Sequence, residues 1–151
     1  MTSAPDVKPV SFDDLRGAVN ALRERGLRLS TSRRLVLEAL FDADGPISAE
    51  QLAEQRELDL ASVYRNLETL ERLGLARHVH FGHGPGLYVL VGRGEREYLF
   101  CERCRTARAV EPAELDRVRA QIKRRFGHEA RFTHFAIVGT CARCARSSSD
   151  V

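Results

Sequence analysis

The sequence predicts an α+β chain of two small domains, a run of helices closed by a β-hairpin and then a smaller α/β domain built around four cysteines. Two observations carry this. Apolar residues recur at helical spacing as far as Leu73 and then alternate from Val79 onward, a switch of period from 3.6 to 2. All four cysteines lie beyond residue 100, in two CxxC pairs separated by 36 residues.

Each element has its own signal. Ser11 with Asp14 resembles a capping box, and Phe12, Leu15, Ala18, Val19 and Leu22 form a helical stripe that Gly26 stops. Ser30 predicts the cap of a second helix, whose Leu35, Val36, Leu37, Leu40 and Phe41 are core residues, and Gly45-Pro46 ends the connection. Ser48 and Gln51 are spaced as a capping box for a short third helix. Asp59 caps a fourth that runs to Leu73, with Gly74 as its C-terminal cap and Leu60, Val63, Leu67, Leu70 and Leu73 as its buried stripe. Two alternating runs then flank Gly82-His83-Gly84-Pro85-Gly86, a hairpin loop. Helices followed by a hairpin make a winged helix, assigned to residues 1–91. Gly92-Arg93-Gly94 reads as a hinge. Residues 92–151 follow as strand (98–100), CxxC, strand (108–110), helix (112–126), strand (131–138) and CxxC, with a disordered tail expected from Arg146. Leu115, Val118, Ile122 and Phe126 share one stripe of that helix.

Composition narrows the function classes. A chain of 151 residues holds one or two small cores, and with 43% hydrophobic and 30% charged residues it lies in the ordinary soluble range. No apolar run approaches the ~20 residues of a membrane span, so no membrane partner is expected. The N-terminal MTSAPDVKPV has no basic leader before an apolar stretch, which predicts a cytoplasmic protein. The net charge of +3 is unevenly divided: residues 1–91 carry 11 Lys+Arg against 13 Asp+Glu, residues 92–151 carry 13 against 8. Charge in bulk therefore says little about a polyanionic partner, whereas Arg23, Arg25, Arg28, Arg33 and Arg34 cluster where acids are sparse.

Cys101, Cys104, Cys141 and Cys144 can offer four thiolates to a tetrahedral ion, and their softness favours Zn²⁺. Four thiolates leave no open position for water, so the ion would be structural. Two disulfides or a redox-active pair are the competing readings, disfavoured by a reducing compartment and by the second pair each would leave unexplained. On the fourth helix, the face away from the apolar stripe carries Ser62, Tyr64, Arg65, Asn66 and Thr69. Arg suits guanine or phosphate, Tyr and Ser suit phosphate, and Asn suits adenine in a major groove. A solvated helix face is the alternative.

Leu29 to Leu40, Ile47 to Leu52, Leu60-Ala-Ser-Val-Tyr-Arg-Asn-Leu67 and Leu73-Gly-Leu75 together resemble the DNA-binding domain of ferric uptake regulators, and the CxxC, helix, strand, CxxC order resembles their dimerisation domain. The resemblance spans roughly residues 14–145. It implies that Tyr64 and Arg65 contact DNA from the recognition helix and Arg33 from helix two. It also implies that the four cysteines hold structural Zn²⁺, and that a homodimer binds a palindromic operator in double-stranded DNA under metal control, usually as a repressor. The chain departs from the family before the first CxxC. Arg96 and Tyr98 stand at the two histidine positions of the usual sensory site, Val89 at its carboxylate position, and Pro46 where an imidazole often lies. Glu95 and Glu97 instead match a second site, completed by Asp116 and by His134 after a one-residue slip. Three carboxylates and an imidazole suit Mn²⁺ or Fe²⁺ more than Zn²⁺; solvated surface carboxylates are the other reading. His78, His80 and His83 either chelate a metal, meet DNA, or stand as exposed polar residues. Arg105, Arg108, Arg117, Arg119, Lys123, Arg124 and Arg125 give the second domain its positive charge and read as a solvated helix face rather than a second DNA contact.

Two other functions could use the same cysteines. A zinc hydrolase or deaminase needs an open metal position and a His-x-Glu pair before a knuckle, and the sequence has neither. A zinc-ribbon scaffold binding protein or RNA would share the cysteines and lack DNA affinity.

Overall fold

The computed structural model describes residues 7–92 and 94–147, so Arg93 of the expected hinge and the tail from 148 lie outside the described residues. Two compact units result: Met1–Val79 with Gly86–Gly94, and His80–Pro85 with Glu95–Val151.

In the first unit α1 (Leu15–Glu24) is capped by Asp14, which accepts from the Gly17 N–H at 2.7 Å. The cap expected at Ser11 is thus displaced by three residues, because the carboxylate of Asp14 reaches the orphan donor and Phe12 is held in the core. Helix α2 (Thr31–Asp42) starts at Ser30, whose hydroxyl accepts from the Arg33 N–H at 3.2 Å. Helix α3 (Ala49–Arg56) has the predicted reciprocal box, Ser48 N–H to Gln51 Oε1 and Gln51 N–H to Ser48 Oγ, both 3.1 Å. Helix α4 (Leu60–Arg72) is capped by Asp59. Strands β1 (Ile47–Ser48), β3 (Gly86–Leu90) and β2 (Ala76–His80) form a sheet in that order, β1 antiparallel to β3 with Ile47 opposite Tyr88. Two-residue β1 escapes any periodicity argument.

Leu22, Val36, Leu37, Leu52, Val63, Leu67, Leu70 and Leu75 are fully buried among these elements. Each contributes roughly 1.5–3 kcal/mol of burial. Leu60, expected on the same stripe, is exposed, since it lies in the first turn of α4. Gly74 has φ +82, and a Cβ there would strike the Lys8 carbonyl, so this position requires glycine on two counts. His78 is buried rather than exposed: its backbone N–H donates to Glu71 Oε1 at 3.2 Å, and its ring Nδ1 pairs with the same oxygen.

The second unit is a three-stranded sheet in the order β5 (Ala107–Val110), β4 (Glu97–Cys101), β6 (Ile137–Gly139), antiparallel on one side and parallel on the other. A 3-10 turn, Pro112–Leu115, leads into α5 (Asp116–Phe126), which ends at Gly127 with φ +62. A short α6 (Ala142–Ser147) replaces the disorder expected from Arg146 onward within the described residues. The last strand is shorter than predicted, because the chain before it makes only an isolated bridge, His80 to Phe135. The hairpin loop belongs to this unit and not to the first. His80 N–H donates to the His134 carbonyl at 2.9 Å, and the Phe81 ring stacks on Phe100 at 5.5 Å. Among the described residues no helix is long and apolar enough to cross a membrane.

Candidate nucleic-acid interface and metal centre

Burying one side of α4 in the core leaves the other side to the outside. Tyr64 is 38% exposed, Arg65 is exposed and Ser62 half-exposed. With Arg33, Ser32 and Arg72, Ser62 and Arg65 line an open concavity at the junction of α2 and α4, a surface rich in hydroxyl and guanidinium donors; Tyr64 is not part of that lining. Such donors match phosphate oxygens and purine edges. The Tyr64 hydroxyl donates to Glu50 Oε1 at 3.0 Å, and burial together with that carboxylate raises its pKa. Glu50, which the sequence reading did not single out, thus orients this phenol and disfavours its ionisation.

Asn66 differs from the sequence expectation. It is only 5% exposed, and its amide donates to Ser32 Oγ at 3.2 Å and to the Ser62 carbonyl at 3.0 Å, while Oδ1 accepts from Arg33 Nε at 3.2 Å. Arg33 also donates to the Arg28 carbonyl at 2.7 Å. Asn66 is therefore the bracket that fixes Arg33 between α2 and α4, not a reader of bases. Asn66→Ala is expected to cost about 1–3 kcal/mol, the penalty of stranding buried donors and acceptors, as a lowered urea midpoint with an unchanged slope. A midpoint equal to the parent's would sink the assignment.

In the second unit the parallel register of β4 with β6 places Cys101 opposite Gly139, two residues before Cys141. Both knuckles thereby arrive at one end of the sheet. Arg105 turns the first knuckle with φ +63, its N–H donating to the Cys101 carbonyl at 2.9 Å. The Cys141 N–H donates to Cys101 Sγ at 3.3 Å, and Cys104 Sγ lies 4.0 Å from Cys141 Sγ. All four sulfurs fall within 4.8 Å of one another, and none is in a disulfide. A tetrahedron of ~2.3 Å Zn–S bonds has edges of about 3.8 Å, so the set fits Zn²⁺ after a small contraction. The Thr106 hydroxyl and backbone N–H beside Cys104 hold its thiol down to about 6, whereas hydrogen bonding to Cys141, burial and the other thiols push Cys144 up to about 12. Four crowded sulfurs cannot all ionise without a cation among them.

Glu95, Glu97, Asp116 and His134 do not converge. Among the described residues no three of them bring ligand atoms within 4.8 Å of one another. Glu97 is buried at the start of β4 and paired with Arg119, which also holds Asp116. His134 packs instead on His80, ring centroids 5.1 Å apart. Asp116 is exposed and Glu95, just before β4, half-exposed. Arg119, read from sequence as solvated, is the residue that reasoning missed; its i,i+3 spacing from Asp116 was the available signal.

Leu115 of the 3-10 turn and Ile122 of α5 are half-buried, but Val118 and Phe126 of α5 are exposed, as are Phe135 and Val138. Half of the predicted stripe thus finds no cover within its own chain.

The model of the ferric uptake regulator family matches residues 24–137, well over half of the chain. The chain belongs to that family. Its members are regulators of transcription and not enzymes. The Campylobacter jejuni ferric uptake regulation protein is 26% identical over 137 residues, covering 86% of this chain and 87% of that protein. The Helicobacter pylori ferric uptake regulator, a structure described as having three functional metal binding sites, superposes with a TM-score of 0.69 at 16% identity, over 92% of this chain and 97% of the other. A zinc uptake regulator solved in complex with zinc and DNA gives a TM-score of 0.57 at 23% identity, over 89% and 95%. These likenesses show that the chain shares the fold of those regulators.

Proposed function

We propose that this regulator binds double-stranded DNA sequence-specifically as a homodimer, represses transcription from palindromic operators, and keeps Zn²⁺ at Cys101, Cys104, Cys141 and Cys144 as a structural ion. The observation that carries the reading is the outward face of α4, where Ser62 and Arg65 stand beside Arg33 of α2 and Tyr64 is exposed, on a helix whose opposite side is core. A helix held so firmly can enter a major groove without losing its own packing. The relative solved with zinc and DNA supports the same use of the fold. Exposed apolar residues of the second unit support self-association, and a dimer would space two recognition helices about one helical turn, ~34 Å. A cytoplasmic location suits a regulator that acts on DNA. Fe²⁺ or Mn²⁺ as the effector is supported by a ferric uptake regulator solved with iron and by a regulator named for manganese uptake.

Fluorescence anisotropy with a duplex from the protein's own upstream region tests this. Affinity should fall linearly in log–log form as salt rises, because phosphate contacts release counterions. Arg65→Ala is expected to weaken binding about tenfold, the low end of a 1–3 kcal/mol contact, and to reduce the salt slope by about 1 if Arg65 holds a phosphate. A homodimer that ignores every duplex yet binds RNA or a protein partner would overturn the reading in favour of a scaffold.

A further inference from the structure

We infer that Arg119 is a built-in cation that occupies the Glu97 and Asp116 carboxylates, so that this part of the second domain takes no regulatory divalent metal. Glu97 opens β4 with its side chain only 4% exposed, and Asp116 and Arg119 stand one turn apart at the start of α5. The Arg119 guanidinium spans them: Nη1 donates to Glu97 Oε1 at 2.5 Å and Nη2 to Asp116 Oδ1 at 2.8 Å, while Nη2 also meets the Pro112 carbonyl. The Phe132 ring lies 5.9 Å from its central carbon. A planar fork of fixed charge is suited to this task, since it serves two carboxylates and a carbonyl at once and cannot lose its proton.

The second carboxylate oxygen of Glu97, Oε2, is buried and has no hydrogen-bond partner among the described residues. A buried carboxylate needs a nearby positive charge, and here the guanidinium supplies it. Mn²⁺ or Fe²⁺ requires several oxygen or imidazole ligands at once. The imidazole that would complete the set, His134, packs against His80, and an incoming ion would meet a guanidinium a few ångströms away. The link from β4 to α5 is therefore made by the chain itself and does not vary with metal supply. An Mn²⁺ or Fe²⁺ response of this regulator is carried by other residues. The inference concerns metal chemistry in one domain and stands apart from the DNA reading.

The zinc-loaded full chain, cleared of labile metal, is titrated with Mn²⁺ while the aqueous Mn²⁺ spectrum is followed by electron paramagnetic resonance. Asp116→Asn, on a side chain 70% exposed and so safe for folding, is expected to leave the binding curve of the parent unchanged. Arg119→Gln, which leaves only the Glu97 and Asp116 carboxylates uncovered, is expected to gain weak Mn²⁺ binding that the parent lacks, and Glu97→Gln in the same chain should remove the gain. The inference is overturned if Asp116→Asn abolishes a parental Mn²⁺ site, or if folded Arg119→Gln gains none. Should Arg119→Gln fail to fold, the Asp116→Asn comparison alone decides.

Discussion

Cys104→Ala is expected to strip the bound zinc and unfold residues 95–147, leaving the first unit folded. The second unit is thin: its buried apolar side chains among the described residues are Tyr98, Phe100, Cys101, Val110 and Ala136, against the many fully buried leucines and valines of the first. Small domains of this kind rely on a metal or disulfide staple, because the area they bury barely offsets chain entropy. Structural zinc supplies an apparent ~10–16 kcal/mol in zinc-finger peptides, comparable with or larger than the roughly 5–15 kcal/mol that separates a folded domain from its unfolded chain. Three remaining thiolates hold the ion far less firmly. Metal analysis should show zinc falling from about one per chain to well under a tenth, and thermal melting should resolve two transitions where the strand signal goes first. Retained zinc with a parental melting curve would defeat the staple argument.

How far the residues themselves announced this arrangement depends on where they sit. Helices α2, α3 and α4 were legible because a cap, an apolar stripe and a stop agreed at each one, as Ser30, Ser48 with Gln51, and Asp59 with Gly74 show. The cysteine centre was legible because ligand spacing is covalent information. Asn66 was misread although its position held the answer: three residues after Val63 and four before Leu70, it lies on the buried stripe, and only its polarity argued otherwise. Glu97 and Arg119 could not be paired from sequence, since 22 residues and two elements separate them and their bond depends on how α5 lies along β4. The same holds for Glu50 and Tyr64, joined across α3 and α4. Long-range polar pairs are set by packing, which periodicity along one element does not encode. The short β1 and the curtailed β6 fail for a related reason, because each exists by pairing with a strand elsewhere in the chain.

Phe126→Asp is expected to turn the homodimer into a monomer and to lower operator affinity on the order of 100-fold or more. Phe126 is 75% exposed at the end of α5, one residue before Gly127 closes the helix, so the substitution removes little from the core of its own chain. Its loss therefore reads association rather than folding. Helical spacing puts Val118, Ile122 and Phe126 on one side of α5, and an apolar stripe left open on a folded chain marks a partner surface. In a two-fold dimer the same patch is used on both subunits, so one substitution places two carboxylates in the contact and the repulsion counts twice. Joined half-site readers gain some 10²–10⁴ in apparent affinity from effective concentration alone, and a monomer forfeits that gain while keeping Tyr64, Arg65 and Arg33 intact. Sedimentation should report half the parental mass, circular dichroism an unchanged helix content, and anisotropy weak, salt-sensitive binding to a single half-site. A variant that still sediments as a dimer and binds the full operator like the parent would place the association surface elsewhere.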